Sequence, residues 1–178
     1  VVLHSGRLSG KSFSRRDGTG VGTRLGVLSG IVAGLVAVAG GPAVGVDVEP
    51  LRAIDAMDDL ARRHFTISEQ RTFYALPVAA RQRAFFEVWT RKEAVLKALG
   101  VGLSREPATI DVWGGGQEPH PVDVGDPAET PLWTLVALDP GAGYVGALAV
   151  RAPEVAVQTW DWRAQDPHSF GTDSPATS

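Results

Sequence analysis

The chain has 178 residues, 44% of them hydrophobic and 21% charged, the make-up of a globular protein with material for one sizeable domain or two small lobes. Its formal net charge of -3 argues against non-specific nucleic-acid binding and leaves small molecules or proteins as the better partners. With no cysteine there is no disulfide, no zinc–cysteine site and no thiol nucleophile, a composition that suits a reducing cytoplasm.

In chain order, residues 1–26 are rich in Gly, Ser and Arg and show no regular periodicity. They read as an irregular lead-in to a domain over 27–163, after which a polar segment, 164–178, reads as a disordered tail. The chain opens on Val1 and its one methionine is Met57, which fits an unusual start or a piece of something longer. Residues 27–39 are apolar, Gly40-Gly41-Pro42 signals a turn, and residues 43–49 alternate, so a β-hairpin is expected. Ile54, Met57, Leu60 and Ala61 recur at helical spacing over 54–64, and Ser68 is the expected cap of a second short helix ended by Pro77. A third helix over 79–99 has Phe85, Val88, Trp89, Val95, Leu96 and Leu99 as its apolar side and Gly100 as its stop. Segments 109–113, 132–138, 144–150 and 155–162 read as four strands of an antiparallel sheet packed on that helix, an α+β fold.

Several local patterns mislead. Gly6 to Ser12 resembles a nucleotide-binding P-loop but is one residue short between its glycines and follows no buried strand. Gly20-Val21-Gly22 lacks the third glycine of a dinucleotide fingerprint. Ser14-Arg15-Arg16 before the apolar run 25–39 has the look of an export signal, but cleavage there would leave the Asp47 strand at the very start of the mature chain. The run is also too short to cross a membrane.

Two stretches carry chemistry. In Gly45-Val46-Asp47-Val48-Glu49, the acids at i and i+2 share one face of a strand while the valines enter the core. In Trp89 to Lys97, Glu93 and Lys97 stand at i and i+4 on one helical stripe. Adjacent carboxylates repel unless a cation lies among them, and hard oxygen donors favour Mg²⁺ or Mn²⁺, so the set suits a magnesium-bound phosphate.

With these motifs the chain resembles the 4'-phosphopantetheinyl transferases of the surfactin-synthetase-activating (Sfp-type) branch. That family has Gly-Ile/Val-Asp-Ile/Val-Glu, Phe-x-x-x-Glu and Trp-x-x-Lys-Glu-Ala/Ser with a lysine four residues on. Gly45 to Glu49, Phe65 to Glu69 and Trp89 to Lys97 match in that order, and Gly100-Val101-Gly102-Leu103 extends the match, which covers about residues 35 to 150. Glu49 and Trp89 favour this branch over the shorter holo-acyl-carrier-protein synthases.

The resemblance implies a cytoplasmic enzyme that moves 4'-phosphopantetheine from coenzyme A to a serine of an acyl or peptidyl carrier protein. It implies Asp47, Glu49 and Glu93 as Mg²⁺ ligands, Lys97 and Lys92 as contacts to the pyrophosphate of coenzyme A, and Glu69 as the base that takes the serine proton. It also implies two similar lobes with coenzyme A between them, and a Ser-His-Ser/Thr-Gly motif shortly before the metal strand. Here His4-Ser5-Gly6 lies far upstream and Leu28-Ser29-Gly30 has no histidine, so a first lobe is expected to be largely missing. The chain would then be a monomer, or a dimer if a second chain replaces that lobe. The alternative is an inactive remnant of the fold that serves as a binding or interaction module.

Overall fold

The computed structural model describes residues 2–6, 34–38, 41–101, 105–114, 119–124, 126, 128 and 132–162. Strand β3 (Val44–Pro50) pairs antiparallel with β6 (Tyr144–Val150), β6 with β5 (Thr134–Leu138) and β5 with the short β4 (His120–Pro121). Helix α3 (Val78–Leu99) lies on this four-stranded sheet, and α1 (Met57–His64) and α2 (Ile67–Ala75) pack beside it. The α+β architecture with an antiparallel sheet on a long helix is therefore present.

Small residues let the helix sit close. Gly45, Ala147 and Ala149 are at the helix-facing positions of β3 and β6, and Ala94 and Ala98 are buried on α3. A Cβ at Gly45 would overlap the Ala94 carbonyl oxygen and lie 2.5 Å from the Ala98 nitrogen. No other residue fits there without moving the helix. Val44, Val46 and Val48 point to the opposite face, into a second cluster with Val136, Leu148, Val150 and Ala37. The alternation read from the sequence thus holds: valines on one side, Asp47 on the helix side.

Helix α3 ends as expected at Gly100, which takes a left-handed φ of 73° and sends its N–H to the Leu96 and Lys97 carbonyls. Phe85, Val88, Val95 and Leu96 are buried, and Trp89 is partly buried and stacked on Phe85 at 6.0 Å. Helix α1 starts at Met57, later than the apolar spacing suggested, with Asp58 and Asp59 in its first turn and Arg62, Arg63 and His64 in its last, charges that complement the helix dipole.

Four expectations are corrected. Residues 43–49 do not form a hairpin with the preceding apolar run: β2 (Gly34–Val38) pairs antiparallel with β1 (Val2–Gly6) in a separate sheet ordered β2-β1-β7. The lead-in is accordingly not irregular throughout, because residues 2–6 are a strand held between two neighbours. The last strand, β7 (Gln158–Trp162), joins that smaller sheet by parallel pairing with β1 instead of extending the antiparallel one. Residues 109–113 are not a strand: a single 3-10 turn, Pro107–Thr109, precedes an isolated bridge between Asp111 and Asp123. The P-loop-like segment beyond Gly6, the Gly20-Val21-Gly22 stretch, the Arg15-Arg16 pair and the tail over 164–178 lie outside the described residues. Among the described residues no helix is long and apolar enough to cross a membrane.

Candidate active site

Strand β3 and helix α3 bring Asp47, Glu49, Glu93 and Lys97 to one edge of their shared interface. Because Gly45 admits the helix so closely, the Lys97 ammonium reaches back to Asp47 and donates to its Oδ1 at 2.5 Å and to the Val46 carbonyl at 3.3 Å. Asp47 is only 4% exposed, and its Oδ2 is buried with no hydrogen-bond partner among the described residues. An unsatisfied buried carboxylate oxygen costs free energy unless something else meets it. Burial pushes the Asp47 carboxyl up to about 6; Lys97 opposes the shift, and the negative charges of Glu49 and Glu93 add to it. Glu93 is also raised, by burial and then by Glu49, against the pull of Lys97. Glu49 accepts from Arg52 Nη1 at 2.9 Å.

These features fit a hard divalent cation. The donors are carboxylate oxygens, one is unsatisfied among the described residues, and neighbouring negative charge adds to the raised proton affinity of Asp47 and of Glu93. Among the described residues no three acidic or imidazole side chains are already gathered into a metal cage.

Glu69 and Lys92 go elsewhere. Lys92 is 1% exposed and Glu69 0% exposed, and they form an ion pair of 2.7 Å on the side of α3 that faces α2. Glu69 Oε2 also accepts from the Thr66 backbone N–H at 2.7 Å, and Oε1 from the Val112 N–H at 2.8 Å. Lys92 Nζ donates further to the carbonyls of Pro107 at 2.9 Å and Ile110. In this arrangement Glu69 has no oxygen open to a substrate proton, and Lys92 has no ammonium hydrogen left for a phosphate. The expected base and the second expected coenzyme A contact are both closed off in the core.

The cap of α2 is Thr66, not Ser68. Its hydroxyl accepts from the Glu69 N–H at 3.1 Å while the Glu69 carboxylate takes the Thr66 N–H, a reciprocal capping box. The pattern Thr66-Ile67-Ser68-Glu69 carried that signal in the sequence. Arg52 and Asp111, which accepts from the Thr66 hydroxyl at 3.1 Å, carried none.

Residues 43–149 match the 4'-phosphopantetheinyl transferase superfamily. The chain is 35% identical over 107 residues to the 4'-phosphopantetheinyl transferase HetI of Nostoc sp. (strain PCC 7120 / SAG 25.82 / UTEX 2576), covering 60% of this chain and 43% of that protein. It is 34% identical over 61 residues to the 4'-phosphopantetheinyl transferase psf-1 of Bacillus pumilus, covering 34% of this chain and 25% of that one. The chain thus spans less than half the length of these curated relatives. Among solved structures it is similar to the holo-[acyl-carrier-protein] synthase of Thermotoga maritima, with a TM-score of 0.45, 18% identity, and coverage of 64% of this chain and 66% of that one.

Proposed function

The chain belongs to the 4'-phosphopantetheinyl transferase superfamily, and from that premise we propose that it transfers 4'-phosphopantetheine from coenzyme A to a serine of an acyl or peptidyl carrier protein in the cytoplasm, with Mg²⁺ as cofactor. The observation that carries the proposal is the buried Oδ2 of Asp47, which has no partner among the described residues, beside Lys97 and flanked by Glu49 and Glu93. Asp47, Glu49 and Glu93 would hold the metal. When bound, Mg²⁺ supplies positive charge where negative charge builds on the pyrophosphate oxygens.

The rest falls to the protein. The serine oxygen attacks the phosphorus that carries the pantetheine arm, and the bond from that phosphorus to the bridging oxygen breaks. Adenosine 3',5'-bisphosphate leaves. Lys97, a third exposed, turns its ammonium to the departing phosphate. With Glu69 sealed and the three acids of the open side holding the metal, the serine proton passes to solvent at that side.

Incubation with coenzyme A, Mg²⁺ and a panel of apo carrier proteins should add the phosphopantetheine mass to at least one of them, and chelation of the metal should stop it. Binding of coenzyme A with no transfer to any carrier would instead support the second reading, a non-catalytic binding module.

A further inference from the structure

We propose that Glu69 and Lys92 form a positioning pair that sets the rotation of α3, so that Glu93 and Lys97 face Asp47, and that neither takes part in the chemistry. The inference rests on the transferase reading for its metal and kinetic arms, and on the fold alone for its amide-shift arm.

Lys92 and Glu93 are consecutive, so their side chains leave the helix about 100° apart. Whatever fixes the direction of one fixes the other. Lys92 is fixed from three sides: by the Glu69 carboxylate on α2 and by the carbonyls of Pro107 and Ile110 in the segment that follows α3. Glu69 is fixed as firmly, by the Thr66 N–H at the start of α2 and by the Val112 N–H. The pair therefore joins α2, α3 and residues 107–112 through one buried hub.

The hub has a polarity. Backbone donors converge on position 69 and backbone acceptors on position 92, so each position accepts one sign of charge only. An apolar pair of similar volume would fill the space but strand the Thr66 and Val112 N–H groups and the Pro107 and Ile110 carbonyls, and it would replace directional ties on the helix by contacts without direction. Arg91, beside Lys92, reinforces the tie by donating to the carbonyls of Val112 and Gly114.

The test uses Lys92→Met and Glu69→Gln in the full chain, held well below their unfolding transitions. Amide chemical shifts should move at Val46, Asp47 and Val48 as well as around residues 65–69 and 107–112. The dissociation constant for Mn²⁺, used as the probe, should rise about tenfold, in the range that follows loss of a group supporting metal ligands. Half-activation by Mg²⁺ should rise in step, with kcat at saturating Mg²⁺ within about threefold and the pH limbs unchanged. Shifts confined to residues 65–69 and 107–112 with unaltered Mn²⁺ affinity would overturn the proposal in favour of a purely local structural pair. Collapse of kcat with loss of one pH limb at unaltered metal affinity would overturn it in favour of Glu69 as the base. Should Lys92→Met not fold, Glu69→Asp keeps the charge and shortens the reach, and the same shifts decide. If the wild-type chain neither binds Mn²⁺ nor transfers pantetheine, the functional reading fails, and the amide shifts alone still accept or reject the positioning role.

Discussion

Lys92 and Lys97 leave the same helix and each meets a carboxylate, yet their surroundings differ. At Glu69–Lys92 both side chains are closed from solvent, and backbone groups complete the hydrogen bonding of each. At Asp47–Lys97 the lysine is 32% exposed, one aspartate oxygen has no partner among the described residues, and two further acids press on it. The sealed pair is complete within the fold, whereas the open pair has a deficit that no described residue fills. The difference teaches that two ion pairs on one helix can carry opposite demands, one met wholly by backbone groups and one left incomplete among the described residues.

The largest effect should come from reversing the charges. Glu69→Lys with Lys92→Glu keeps an ion pair but aims an ammonium at two N–H groups and a carboxylate at two carbonyls, so the double variant should lose about 4 kcal/mol or more in denaturant unfolding. The same exchange at the open pair, Asp47→Lys with Lys97→Asp, crowds the buried position 47 but sets a cation among Glu49 and Glu93 and leaves position 97 partly in solvent, so it should cost less, about 1 to 3 kcal/mol. Equal costs would break the comparison.

A smaller and opposite effect is expected for Asp47→Asn. The folded carboxyl sits at about 6 against an ordinary 3.8. A group raised in this way contributes stability that is fully present below the lower value and is lost as pH rises through the upper one. Metal-free protein should therefore lose about 2 to 3 kcal/mol from this group between pH 4 and pH 7, and Asp47→Asn should recover it at pH 8 and not at pH 4. Saturating Mg²⁺ should then stabilise the wild type more than the variant, as thermal melts with and without the metal would show. A wild-type chain whose stability rises over that pH range, with no gain from the substitution, would contradict the open-site description.

The smallest expected effect is at the cap. Thr66→Ala removes the hydroxyl that accepts from the Glu69 N–H, should cost about 1 kcal/mol, and should leave the response to Mg²⁺ as it is in the wild type. Loss of the metal response would show that the sealed side reaches the open side through the cap itself.

The elements that build the open site were legible because their signals are local. The period of two along β3 places Asp47 opposite Val46 and Val48, and the apolar spacing with Gly100 at its end marks α3. Pairing was not legible. Gly40-Gly41-Pro42 announces a reversal of the chain but not whether the strands on either side bond to each other, and here they belong to different sheets. Residues 109–113 have strand-like composition, yet the Val112 N–H is taken by Glu69. The burial of Lys92 was hidden for a related reason: in Arg91-Lys92-Glu93 three charged residues follow one another, and which enters the core is decided by carbonyls more than a dozen residues further on.

The pairing of Val2–Gly6 with Gln158–Trp162 also sets an order of events in time. Equilibrium tolerates so wide a separation well, since each doubling of a closed loop adds only about 0.6 kcal/mol. Rates do not, because contacts between distant segments form late. During synthesis β1 is made long before β7, and β2, made far earlier than β7, can pair with it first. The smaller sheet should thus be the last part of the molecule to close, with β7 as its final strand, after the larger sheet and α3 have already brought Asp47 and Lys97 together.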